Sequence, residues 1–141
     1  MSHNLTQHLL HALRLTPAFM LPLLVAMPSQ YALANASGCS RFGDGLTCIY
    51  VIGDGLNVST VQGAFRKVTS LCNWHYNVAF INTNGITYHI VRGTRRSGCY
   101  RSADDLIVRY SPPKVFWEGR VCAQLYKNGF YVDAACVNIT P

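Results

Sequence analysis

Acidic side chains are scarce in this sequence: 6 Asp and Glu stand against 12 Lys and Arg in 141 residues, a formal net charge of +6. That balance favours anionic partners without identifying one. Long apolar runs are missing too. The stretch Pro17 to Met27 falls well short of the ~20 residues that span a bilayer and carries Pro17 and Pro22, so the chain is not read as membrane-spanning. No long amphipathic helical pattern occurs, which leaves helical bundles out. Paired C-x-x-C spacings are absent, and only His75 and His89 follow the leader, so the usual zinc frameworks do not fit. There is no G-x-S-x-G, no H-E-x-x-H and no phosphate-cradling glycine loop. We therefore assign no catalytic residue, metal or cofactor, and read the chain as a non-enzyme. A nuclease would need one histidine beside Arg95 or Arg96.

Residues 1–34 have the layout of a signal peptide: Arg14 in a polar start, the apolar core Pro17 to Met27, then small residues at Ala32-Leu33-Ala34. Cleavage is expected after Ala34, or after Ala36. Residues 35–141 then form one exported domain. Losing Arg14 alone among the charged residues leaves its net charge near +5, one below that of the whole chain. All 6 cysteines lie in this part: Cys39, Cys48, Cys72, Cys99, Cys122 and Cys136. An even count behind an export signal implies disulfides and a secreted, extracellular location. Spacing alone does not choose the pairing; nearest neighbours, Cys39–Cys48, Cys72–Cys99 and Cys122–Cys136, are preferred because hairpin geometry partly supports them.

The mature chain reads as strands separated by turns. Leu46 to Ile52 is a buried strand, Gly53-Asp54-Gly55 breaks it, and Leu56 to Val61 alternates, with Leu56, Val58 and Thr60 on one face. Gln62 to Leu71 is read as irregular or a single helical turn. Asn84-Gly85 marks a hairpin of Trp74–Ile81 against Ile86–Arg92. A two-residue loop there sets Thr83 opposite Ile86 and Cys72 opposite Ser97. Cys99 then shares the face of Cys72, and a modest bulge joins the sulfurs. Leu106 to Tyr110 is a strand ended by Ser111-Pro112-Pro113. A last hairpin, Arg120 to Ile139, turns at Asn128-Gly129. Strict pairing there places Cys122 opposite Ala135, so either that hairpin is bulged or Cys122 pairs elsewhere. The sum is an all-β fold, a small antiparallel β-sandwich or barrel of seven to eight short strands.

The closing hairpin carries Gly119, Val121-Cys122-Ala123, Leu125-Tyr126, Asn128-Gly129, Ala135-Cys136-Val137 and Ile139. With the leader ahead of it, this segment resembles small secreted disulfide-containing β-rich proteins of actinobacterial type. That resemblance implies export and a braced β fold, and transfers no chemistry to numbered positions.

Charge concentrates at Arg92 to Arg101, where Arg92, Arg95, Arg96 and Arg101 accompany Tyr100. Gly93 and Gly98 mark the segment as a loop anchored by Cys99, and arginine forks suit phosphate, sulfate or carboxylate groups. Trp74 and Tyr76 enter the neighbouring strand at the same end and, with Trp117, are the candidates for aromatic recognition. The other rings near the last hairpin, Tyr126, Phe130 and Tyr131, and Phe116 before it, are read chiefly as core. Asp104-Asp105 is read as turn chemistry. The expected function is a monomeric secreted binding module that engages an anionic cell-surface polymer or protein through the basic loop, with no specific nucleic-acid recognition. The alternative is a secreted antimicrobial protein or toxin, or a hydrolase inhibitor presenting Ser97 to Tyr100.

Overall fold

The computed structural model describes residues 35–141; the expected signal peptide, residues 1–34, lies outside the described residues. Seven strands follow one another: β1 (Ala36–Phe42), β2 (Gly45–Asp54), β3 (Asn57–Asn82), β4 (Thr87–Arg92), β5 (Arg96–Val115), β6 (Gly119–Lys127) and β7 (Phe130–Ile139). Every pairing is antiparallel. The described residues contain no helix.

The long strand β3 organises the rest. It turns a corner at Asn73, whose φ of 50° lies in the left-handed region that asparagine tolerates better than most residues. Before the corner β3 pairs with β2 and β5; after it, with β6 and β4, and with β5 only through Trp74–Arg96. Two sheets, β1-β2-β3-β5 and β4-β3-β6-β7, thus share one strand, and counting its halves separately gives eight. Strand β7 returns to β1, where Ser40 Oγ donates to Asp133 Oδ1 at 3.1 Å and a Cβ on Gly38 would meet the Cys136 carbonyl oxygen at 2.7 Å. The result is a nearly closed antiparallel barrel. The strands are not uniformly short: β3 has 26 residues and β5 has 20.

Alternation along β3 fills the interior. Val61 and Phe65 before the corner, and Trp74, Tyr76, Val78 and Phe80 after it, are buried against Ile49 and Val51 of β2, Val121 and Leu125 of β6, and Val137 of β7. Each fully buried side chain of this size stabilises by about 1.5–3 kcal/mol. Phe116 stacks on Phe80 with centroids 3.8 Å apart.

All three expected disulfides form, and each joins directly opposed residues: Cys39–Cys48, Cys72–Cys99 and Cys122–Cys136. Bulges supply the register that the two harder pairs need. At Asn128-Gly129 the turn has two residues, but the ladder steps between Leu125 and Tyr126, leaving Val132 unpaired and bringing Cys136 opposite Cys122. Between Cys72 and Trp74 a similar step places Cys99 opposite Cys72.

Several local expectations are corrected. Residues 62–71 are strand, not a helical turn; their helix-like spacing comes from a bent strand whose ladder to β5 steps between Arg66 and Leu71. Val58 and Val61 share the buried side because a step between Ile52 and Gly53 leaves Ser59 unpaired. Pro112 and Pro113 do not end β5. The pairing passes from Arg109 to Lys114 without them, so their missing N–H groups are not called upon. Asp104-Asp105 is no turn: Asp104 meets Arg66 at 2.8 Å and Asp105 meets Arg96 at 2.9 Å, both along β5. The central hairpin keeps the expected register from Asn77–Arg92 to Phe80–His89, but steps before Ile81, and its loop closes through Asn82 and Ile86 rather than Thr83 and Ile86.

Candidate anion-binding face

The segment Arg92 to Arg101 is mostly strand, which divides its arginines. Residues 93–95 alone link β4 to β5. Gly93 lies so close to the Tyr76 carbonyl, to which its N–H donates at 2.8 Å, that a Cβ there would clash. Arg96 pairs across from Trp74 and gives its guanidinium to Asp105, a carboxylate only 4% exposed, so it is committed to the fold rather than to a ligand. Arg101 lies on β5 beyond the corner, alongside the first half of β3. Tyr100 is half-exposed and packs edge-on to Trp74 at 6.0 Å. Ser97 to Tyr100 is strand and forms no protruding inhibitory loop.

Two aromatic candidates are also relocated. Trp74 and Tyr76 are 2% and 0% exposed, because even-numbered positions of β3 beyond the corner face the core. Trp117 is 63% exposed but sits at the other end of β3, stacked on Tyr88. Of the rings assigned to the core, Phe116 is there, while Phe130 and Tyr131 are exposed, Tyr131 lying opposite Tyr126 on the outer face.

Arg92 and Arg95 remain, and they flank residues that sequence reasoning passed over. On the outer face of β3, His75 lies opposite Tyr126 of β6, and Asn77 lies between Arg92 of β4 and Gln124 of β6. The His75 and Tyr126 rings stack at 4.9 Å with an interplanar angle of 11°, and Tyr131 packs edge-on to Tyr126 at 5.9 Å. Arg95 reaches across to the β6–β7 turn, whose Asn128 N–H donates to the Asn73 carbonyl at 2.8 Å; its Nη2 lies 3.4 Å from where a Cβ of Gly129 would be. Among the described residues neither Arg92 nor Arg95 makes a hydrogen bond or ion pair.

Two polar atoms on this face are unsatisfied: His75 Nδ1 and Asn77 Oδ1 are buried without a hydrogen-bond partner. A buried unpaired polar group costs about 1–3 kcal/mol, which a ligand can recover. Burial, and then the positive charge of Arg95, hold the His75 pKa below its ordinary value. No protein-family model, curated protein or solved structure matches this chain. Its function is therefore argued from these residues alone. Two unpaired guanidinium groups, a histidine kept short of its second proton and two stacked rings suit a ligand with negative charge and a flat or apolar body.

The signal that was present but unread is the alternation Trp74-His75-Tyr76-Asn77-Val78, an inward apolar row with an outward polar one. His75 finds its neighbour in the last hairpin, at Tyr126 of β6. His89 faces the opposite side, beside Phe80, with Nε2 3.5 Å from the Tyr110 hydroxyl. The two histidines are thus separate. Among the described residues no group of His, Cys, Asp or Glu is placed to hold a metal ion.

Proposed function

We propose that this protein is a secreted binding module that engages an anionic surface polymer through the face built on Arg92, Arg95, His75 and Tyr126. The observation that carries the reading is the pair of uncommitted arginines beside the buried, partnerless His75 Nδ1, which donates when that nitrogen carries a proton. Three cross-strand disulfides support an oxidising, extracellular setting. They also hold the sheet that carries the site, so binding costs little ordering. The basic contribution comes from two arginines rather than four, since Arg96 neutralises Asp105 and Arg101 lies apart.

The test is binding of the oxidised domain to dextran sulfate and to polyphosphate over a salt series. Joint replacement Arg92→Ala and Arg95→Ala is expected to weaken binding about tenfold or more and to flatten its salt dependence, with the melting temperature nearly unchanged. Unchanged affinity in that variant removes the proposal.

A further inference from the structure

At the far end of the same sheet from Arg95, where Asn82 pairs with Gly119, the surface opens into a cleft of about 420 Å³. The side chains that line it belong to polar residues, Asn82, Thr83, Glu118, Arg120, Asn138 and Thr140, beside Gly85 and Gly119. A volume of that order falls within the range of small-molecule sites, though none of its lining residues is a large hydrophobic one.

The cleft is rigid where it matters. Asn82 Oδ1 accepts from the N–H groups of Asn84 at 3.0 Å and Ile86 at 2.9 Å, which locks the β3–β4 turn. Gly119, at a φ of 153°, packs its α-carbon against the Ile81 carbonyl where a Cβ would clash, so β6 starts pressed against β3. Among the described residues the Glu118 carboxylate and the Arg120 guanidinium form no ion pair or hydrogen bond. The cleft therefore presents a free double acceptor, a free donor fork, and amides and hydroxyls that do both.

An aromatic platform directly precedes the cleft's Glu118 in the chain, outside the residues that line it. Trp117 is joined directly to Glu118, is 63% exposed, and stacks on Tyr88 with centroids 4.7 Å apart. Its backbone N–H donates to the Tyr88 hydroxyl at 3.1 Å, so the ring is held rather than loose. A large aromatic surface kept open to solvent next to a polar cleft matches a ligand with one apolar face and an edge of hydroxyls. A pyranose ring has that build: axial C–H bonds on a face, and neighbouring hydroxyls that both donate and accept. The carboxylate of Glu118 in the lining disfavours a polyanion here. We propose that this cleft holds a neutral pyranose unit of a glycan, with its C–H face on Trp117 and its hydroxyls on Glu118, Arg120 and Asn138. The site is separate from the arginine face and does not rest on it.

Asn138-Ile139-Thr140 matches an N-glycosylation signal, so the test uses oxidised protein from a bacterial host that leaves Asn138 unmodified. Cellohexaose, chitotetraose and maltohexaose are titrated at millimolar concentration, reading tryptophan fluorescence and backbone amide shifts. Only Trp117 of the 2 tryptophans is exposed, so its signal is separable by Trp117→Phe. At least one probe is expected to shift the amides of Glu118, Arg120 and Asn138. Trp117→Ala and Glu118→Gln are each expected to weaken that binding about tenfold without lowering the melting temperature. No response to any probe, shifts mapping away from the cleft, or affinity unchanged in Trp117→Ala overturns the proposal. Arg92→Ala with Arg95→Ala is expected to leave the sugar response intact, which keeps the two sites distinguishable.

Discussion

Replacing Tyr76 with Phe removes one oxygen from the middle of the core. Its hydroxyl donates to the Ala64 carbonyl and bonds Thr47 Oγ1, each at 2.7 Å, and Tyr76 and Thr47 are both 0% exposed. Each such bond contributes about 0.5–1.5 kcal/mol net, and a hydroxyl left buried without a partner costs about 1–3 kcal/mol. The substitution breaks both bonds and orphans the Thr47 hydroxyl, so Tyr76→Phe is expected to destabilise by about 2–4 kcal/mol. For a domain of this size each kcal/mol lowers the melting temperature by about 4–8 °C. Thr47→Val leaves Tyr76 its bond to Ala64 and is expected to cost about 1 kcal/mol. On the Thr47→Val background no hydroxyl at that position is left to be orphaned, so the Tyr76→Phe penalty shrinks by about 1 kcal/mol or more, a coupling that a double-mutant cycle reads directly. The assay is urea unfolding of the oxidised protein followed by fluorescence of Trp74, whose ring lies 6.0 Å from that of Tyr76. A Tyr76→Phe effect below about 0.5 kcal/mol, or strict additivity with Thr47→Val, refutes the reasoning. An exposed recognition ring, as the sequence suggested, would instead give lost affinity at unchanged stability.

Other expectations follow from the same geometry. Arg96→Ala strips a buried carboxylate of its cation and is expected to lower the melting temperature, whereas Arg95→Ala, which breaks no described pairing, leaves it unchanged; equal effects would remove the distinction between them. Burial holds the pKa values of both His75 and His89 down, with Arg95 and Lys114 as the respective second causes. The unfolded chain therefore takes up these protons first as pH falls below about 6.5, and stability declines through that window towards the lower folded values. A thermal melt series from pH 7.5 to about 5, compared with His75→Gln, checks the sign. Bound anion favours protonated His75, so affinity for dextran sulfate is expected to rise over the same descent; a flat profile would place the ligand away from His75.

The fold class, the Asn-Gly turns and the pairs Cys39–Cys48 and Cys122–Cys136 were legible because those signals are local, whereas Cys72–Cys99 spans β3 to β5 and was reached only by adding a bulge. Asn-Gly pairs, glycine breaks and cysteines flanking a turn each act within one hairpin. The functional face was only half legible because it depends on which hairpin lies beside which. Arg92 and Arg95 were visible as charge, but His75 and Asn77 acquire meaning only once β6 is laid along β3, a pairing that no residue near His75 announces. Trp74 and Tyr76 were misassigned for the same reason: an alternating strand does not say which of its faces is covered. Pro112 and Pro113 misled through a rule that is sound for paired residues and empty for unpaired ones.

The division of β3 into two halves makes the three bridges unequal in what they need. Cys39 and Cys48 meet within the first hairpin, across the two-residue turn Gly43-Asp44, so their pairing calls on no part of β3. Cys72 has no such local mate. Its partner Cys99 comes 27 residues later, at the start of a strand that cannot dock until the β3 corner is made. Through that interval Cys72 is the thiol most exposed to the wrong partner. Early closure of Cys39 with Cys48 takes the two nearest wrong choices off the chain.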